Sequence, residues 1–83
     1  MADVKEKLQA AQKKVQTGEK YAHYKNPTKP YVVLSVALLE ANEEPCVVYQ
    51  SLGDDKLIWV RSLTSFFERI ESSGVTVARF QKI

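Results

Sequence analysis

Three apolar stretches separated by short polar turns restrict this chain to an antiparallel meander of strands. Residues 31–40, 46–52 and 57–61 have the composition of strands. The segments between them contain asparagine, glycine, proline and acidic residues, which favour tight turns. Residues 31–40 carry one fully apolar face and one partly apolar face. This pattern predicts a central strand covered on both sides.

A helix is predicted before the meander, over residues 3–16. Asp3 followed by Glu6 resembles a capping box, and one face is apolar at Val4, Leu8, Ala11 and Val15. Such a narrow stripe is marginal alone in water, so we expect the helix to dock on its own domain or on a second copy. Residues 20–24 then predict a short strand, and residues 26–30, with two prolines, predict a turn.

A second, short helix is predicted after the meander. Its apolar positions follow helical spacing behind Ser62 or Thr64 as N-cap, at Leu63, Phe66, Phe67 and Ile70. The Ser72-Ser73-Gly74 segment ends this helix, and residues 75–80 alternate as a last strand.

The length limits how these elements enclose a core. A chain of 83 residues is near the size at which one core is only just sufficient. Four or five short strands need curvature to close around it. We predict an α+β fold: a small, strongly bent antiparallel β-sheet or an SH3-like barrel, with an N-terminal helix and a short helix before the last strand. The N-terminal helix is assigned to residues 1–17 and a single β-rich domain to residues 18–83.

The composition excludes several classes of protein. Hydrophobic residues make up 45% of the chain, which excludes a wholly disordered protein. With one cysteine, Cys46, no intramolecular disulfide and no structural zinc site is expected, and we interpret Cys46 as a small buried hydrophobe. The N-terminus lacks the apolar region of a signal peptide, and residues 31–39 are too few to cross a bilayer as a helix. We therefore expect a cytoplasmic protein without a membrane segment.

No catalytic signature is present in the sequence. The single histidine, His23, and Cys46 are not tied to a carboxylate pattern, and the three glycines do not form a nucleotide-binding fingerprint. An enzymatic activity is not expected, and neither is a cofactor or a metal.

Aromatic and basic side chains suggest a binding site instead. Trp59 and Arg61 lie two residues apart on a strand and therefore point to the same face. A flat ring beside a guanidinium is a pairing that binding surfaces favour. The candidate binding residues are His23, Tyr24, Lys25, Tyr49, Trp59, Arg61 and Arg79. They predict a non-catalytic binding module for an anionic or aromatic small ligand or a peptide.

Two other functions remain open from the residues alone. These side chains could serve the core, with the protein acting as a homodimer or binding a partner protein through its N-terminal helix. A weak single-stranded nucleic-acid binder is the other alternative, since residues 1–30 carry seven lysines and three acidic residues. A net charge of only +2 and acidic turns at Glu43-Glu44 and Asp54-Asp55 disfavour it. Full burial of Trp59 and Arg61 would favour a role in the core, and their exposure would favour the binding module.

Several motifs in a fixed order resemble a known family. They are Gly18-x-x-Tyr21-x-His23-Tyr24-Lys25, Val47-Val48-Tyr49, Trp59-Val60-Arg61, Phe66 and Arg79-Phe80. Over residues 18–83 the chain resembles domain-of-unknown-function family 1653, whose members are small bacterial β-rich proteins with no established activity. It departs from the family pattern at Ser62 and Ala78, where proline is usual. The resemblance implies which residues the family shares, and it does not imply a ligand.

Overall fold

The computed structural model describes residues 3–83, which form two helices and seven strands. The helices are α1 (Val4–Lys14) and α2 (Leu63–Phe66). The strands are β1 (Lys20–His23), β2 (Asn26–Leu39), β3 (Glu44–Ser51), β4 (Ile58–Ser62), β5 (Arg69–Ser72), β6 (Val75–Ala78) and β7 (Phe80–Lys82). Five strands form an antiparallel sheet in the order β4-β3-β2-β1-β7, and β5 and β6 form a separate hairpin. The predicted α+β fold is confirmed, including the N-terminal helix and the short helix before the last strand.

The five-stranded sheet is open. Its edge strands β4 and β7 do not pair with each other, so residues 3–83 form no closed barrel and the SH3-like alternative is wrong. The segment that connects β4 to β7 in sequence does not extend the five-stranded sheet. It forms α2 and the separate β5–β6 hairpin. The antiparallel open sheet is the alternative that holds.

A β-bulge in β2 changes which face its side chains occupy. Val33 pairs with Tyr49 and Ser35 pairs with Val48, which leaves Leu34 as an extra residue. Val33 and Val36 are therefore both buried, although they are three residues apart. The opposite face, with Leu34 and Ser35, is exposed, so the prediction of a central strand covered on both sides is wrong. The bulge broke the alternation on which that prediction depended.

The turn after β1 lies earlier than predicted. Tyr24 and Lys25 form it, since His23 pairs with Asn26, and residues 26–30 already belong to β2. Proline is tolerated there because this end of β2 pairs only with β1, while β3 joins at Tyr31.

The second helix is shorter than predicted and ends at Phe66. Ser73 and Gly74 both have positive φ, of 53° and 79°. Two such residues form the hairpin turn that joins β5 to β6. This pairing holds Ile70 in β5, so the spacing that predicted a helix to residue 70 is overridden by the hairpin.

Helix α1 packs on the sheet of its own chain. Its N-cap Asp3 accepts a hydrogen bond of 2.9 Å from the backbone N–H of Glu6. Ala11, in the helix, and Val15, just beyond it, are buried in the core with residues of β2 and β3. Of the two expected arrangements, docking on its own domain is the one found. Within residues 3–83, no helix has the length and apolar character to cross a membrane.

An aromatic cluster forms a second part of the core, beside the part to which α1 contributes. Phe66 of α2 is fully buried and stacks on Phe80 of β7 with 4.3 Å between ring centroids. Tyr21 and Tyr49 meet the Phe66 ring edge-on. Cys46 is buried as predicted, and burial raises the pKa of its thiol. The short helix thus fixes β7 against the middle of the sheet.

Candidate binding pocket

A small cavity opens on the face of the sheet that carries the aromatic cluster. Its volume is about 180 Å³, and each of the five strands contributes to its wall. We call it the Trp59–Arg61 pocket; it is lined by His23, Tyr31, Tyr49, Trp59, Arg61 and Phe80. None of these six residues is acidic.

The floor of the pocket is held by edge-to-face aromatic contacts. The Tyr49 ring lies 5.2 Å from Phe80 and 5.5 Å from Tyr31. Phe80 is in turn stacked on the buried Phe66. Because these rings are fixed by the core, the pocket is pre-formed.

Arg61 is positioned by the start of α2. Ser62 caps this helix, and its hydroxyl accepts a hydrogen bond of 3.2 Å from the Ser65 N–H. The Ser65 hydroxyl then accepts a hydrogen bond of 2.9 Å from Nη1 of Arg61. Among the described residues, the guanidinium makes no other hydrogen bond and no salt bridge, and its buried Nε has no partner. The side chain is therefore oriented, but most of its donors are unused.

Trp59 lies at the mouth of the pocket, beside Tyr49 on the neighbouring strand. Its side chain is 47% exposed, so it does not serve as a buried core residue. Arg61 is half-buried. The pair is thus neither fully buried nor satisfied by internal partners.

His23 contributes a neutral imidazole to the wall. Its Nδ1 accepts a hydrogen bond of 3.1 Å from the Lys25 N–H, which places the proton of the neutral ring on Nε2. Burial lowers the pKa of His23, and the positive charges of Arg61, Arg79 and Lys25 lower it further. At neutral pH the ring is uncharged and can donate one hydrogen bond from Nε2.

Four of the seven predicted binding residues meet in the pocket, namely His23, Tyr49, Trp59 and Arg61. Tyr24 lies outside it and packs on the His23 ring at 4.8 Å, with Lys25 Nζ 6.0 Å from the Tyr24 ring centre. Arg79 also lies outside. Its Nη2 is 3.8 Å from Glu68 Oε2, while its buried Nε has no hydrogen-bond partner.

Sequence reasoning missed two residues of the pocket. Phe80, in the last predicted strand, and Tyr31, at the start of the longest predicted strand, are not among the seven candidate binding residues. The pairing of His23 with Phe80 on β7 brings the chain end to the pocket. That pairing is long-range, and the Arg79-Phe80 motif was the one local signal for it. No signal in the sequence marked Tyr31.

The polar groups of the pocket include a guanidinium and an imidazole, and none of its lining residues is a carboxylate. Within residues 3–83, no three histidine, cysteine or acidic side chains are grouped so that they could hold a metal ion. A guanidinium, an imidazole N–H and an exposed indole can hold a negatively charged group and a flat ring.

Comparison with known proteins identifies the family but no activity. No curated protein matches the sequence. The fold is similar to the crystal structure of a DUF1653 protein from Bordetella bronchiseptica, with a TM-score of 0.71 and 25% identity. That similarity covers 86% of this chain and 90% of the other. The family model described as "Protein of unknown function (DUF1653)" matches residues 19–82, which include the whole pocket and exclude α1. The chain therefore belongs to the DUF1653 family of proteins of unknown function.

Proposed function

We propose that this protein is a binding module for a ligand that carries a small anionic group next to a flat ring. The observation that carries the proposal is the state of Arg61. Ser65 holds its guanidinium in place, yet no carboxylate among the described residues neutralises it. A half-buried cation without a counter-ion favours an anion from solution.

The surrounding charges support the same ligand class. Arg79 and Lys25 lie close enough to His23 to lower its pKa, so the region around the pocket is positive. His23 stays neutral and adds a hydrogen-bond donor without adding a charge. A carboxylate or phosphate oxygen bound by Arg61 would find this donor on the opposite wall.

The size of the pocket limits what enters it. A volume of about 180 Å³ is smaller than the roughly 300–1,000 Å³ of pockets that enclose a whole small molecule. We expect the anionic group to enter, and the attached ring to stack on the exposed indole of Trp59 at the mouth. Free metabolites and peptides with an acidic side chain or terminus both carry such a group.

The alternative in which these residues serve only the core has less support. It requires Trp59 to be buried and Arg61 to be satisfied internally. Trp59 is half exposed, and Arg61 has one internal acceptor.

The single tryptophan provides the test, because all tryptophan fluorescence of the protein comes from Trp59 at the pocket mouth. Titrations with acetate, inorganic phosphate, benzoate and the neutral analogue benzamide, at constant ionic strength, separate charge from stacking. We expect benzoate to bind more tightly than either acetate or benzamide. Benzamide and benzoate binding equally well would refute the role of charge.

Matched arginine variants locate the site. Arg61→Gln removes the proposed anion donor, and we expect it to weaken benzoate binding by about tenfold or more. Arg69→Gln removes an exposed arginine of β5 outside the pocket and should change the affinity by less than about twofold. Circular dichroism of both variants checks folding. Equal benzoate affinity of Arg61→Gln and the unmodified protein would overturn the proposal.

A further inference from the structure

Strand β4 presents an exposed edge. It terminates the five-stranded sheet, and its outer side pairs with no other strand of residues 3–83. Exposed edges are commonly protected by proline, charged side chains or a bulge; β4 has no proline and no bulge, and its one charged side chain is Arg61, which lines the pocket. The other edge strand, β7, has only three residues. Its Lys82 forms a salt bridge with Glu19, with Nζ 2.7 Å from Oε2.

The register of β4 shows which backbone groups face outward. The Ser51 N–H donates to the Leu57 carbonyl, so these two residues form a hydrogen-bonded pair of the antiparallel ladder. Such pairs alternate, which turns the backbone of Trp59 and Arg61 toward β3. The N–H and C=O groups of Ile58 and Val60 and the N–H of Ser62 therefore point away from the sheet.

The outward residues also carry the most exposed apolar side chains of the strand. Ile58 is 59% exposed and Val60 is 62% exposed. An extended segment that pairs with this edge would cover these side chains and satisfy the free backbone groups together.

We propose that the partner of β4 is β4 of a second copy, paired antiparallel about a two-fold axis at Val60. This register pairs Val60 with its own copy and Ile58 with Ser62, and so uses the whole strand. On the pocket face it places Trp59 of one copy beside Arg61 of the other. The two arginines do not oppose each other, and each guanidinium meets an indole instead. The strand is therefore complementary to itself in hydrogen bonding, and the two arginines are kept from directly opposing each other.

The dimer places Trp59 of each copy beside the pocket of the other copy. The sheet becomes continuous through both protomers, and the two Trp59–Arg61 pockets lie side by side on one face. One short edge covers less area than the roughly 1,600 Å² of a standard interface, so we expect a weak and reversible dimer.

Sedimentation equilibrium at high protein concentration tests the dimer with variants that place a charge at the proposed two-fold axis. In Val60→Lys and in Val60→Glu, like charges face each other across the axis, so each variant alone should associate at least about tenfold more weakly. An equimolar mixture places lysine opposite glutamate and should restore association. Val75→Lys, at a site 59% exposed on β6, should associate like the unmodified protein. Circular dichroism checks that each variant folds.

The remaining outcomes overturn the inference. A monomer at every concentration excludes the dimer, and unchanged association of Val60→Lys excludes β4 as the interface. Weakened variants that do not rescue each other exclude the axis at Val60. The association does not require a ligand, so failure of the anion titrations leaves it untouched.

Discussion

Replacing Tyr21 with phenylalanine should change how the stability of this protein depends on alkaline pH. Tyr21 is 4% exposed and its hydroxyl donates to Glu19 Oε1 at 3.2 Å. Burial of the ring, followed by the negative charge of Glu19 and this hydrogen bond, raises its pKa from 10.0 to about 12. The folded state therefore favours the neutral phenol more strongly than the unfolded state does.

The magnitude follows from linkage. A raised folded-state pKa contributes stability that is fully present below pH 10 and is lost as the pH rises through 12. A tenfold change in ionisation equilibrium is about 1.4 kcal/mol, so the unmodified protein loses about 1.4 kcal/mol by pH 11 and up to about 3 kcal/mol in total. Tyr21→Phe does not titrate, but it lacks the hydrogen bond, which costs about 1 kcal/mol at neutral pH. The two stabilities should cross near pH 11.

Urea unfolding of both proteins between about pH 8 and pH 11.5, followed by Trp59 fluorescence, measures this difference. All other titrating groups are common to the two proteins and cancel. Tyr21→Phe should be less stable at pH 8 and equally stable near pH 11. A stability difference that stays constant over the whole range would refute the account of Tyr21.

Three further predictions concern the pocket and its supports. The pKa of His23 should lie below 6.5 and rise in Arg61→Gln, because Arg61 is one of the charges that lower it; an unchanged midpoint in an NMR titration would contradict this. Phe66→Ala should cost about 3–5 kcal/mol, against a total stability of about 4–12 kcal/mol for a chain of this length, as measured by urea unfolding. A cost below about 1 kcal/mol would show that the ring does not support the core. Gly74→Ala should cost about 1 kcal/mol or more through backbone strain alone, since φ is 79° and no atom lies within 4 Å of an added Cβ, whereas Gly53→Ala, without positive φ, should cost less.

The parts of the site that lie close together in sequence were predictable. Trp59 and Arg61 share a face because strand alternation is a local rule. Tyr49 joins them because the short turn at residues 53–56 pairs β3 directly with β4. The sequence pattern therefore located one wall of the pocket and the two residues on which the proposed function depends.

The opposite wall depends on contacts that no local pattern records. His23 reaches the pocket because β1 pairs with β7 at the far end of the chain. Helical spacing continues past Phe66, but the Arg79 N–H donates to the Glu68 carbonyl and holds the chain in the β5–β6 hairpin. In both cases a long-range backbone contact determines where the residues lie, and in the second case it outweighs the helical preference of the segment after Phe66.

The extra residue Leu34 changes the pairing register between β2 and β3 by one residue. Residues on its N-terminal side match β3 in one phase, and residues on its C-terminal side match in the other. Deleting Leu34 would make the two parts of β2 continuous, so that Val33 stays opposite Tyr49, Ser35 stays opposite Val48, and Val33 and Val36 keep their common face by ordinary alternation. A deletion at this point should thus do less harm than a deletion elsewhere in β2, which would move one part of the strand out of register with β3, and homologous chains should be aligned with this position treated as an optional insertion.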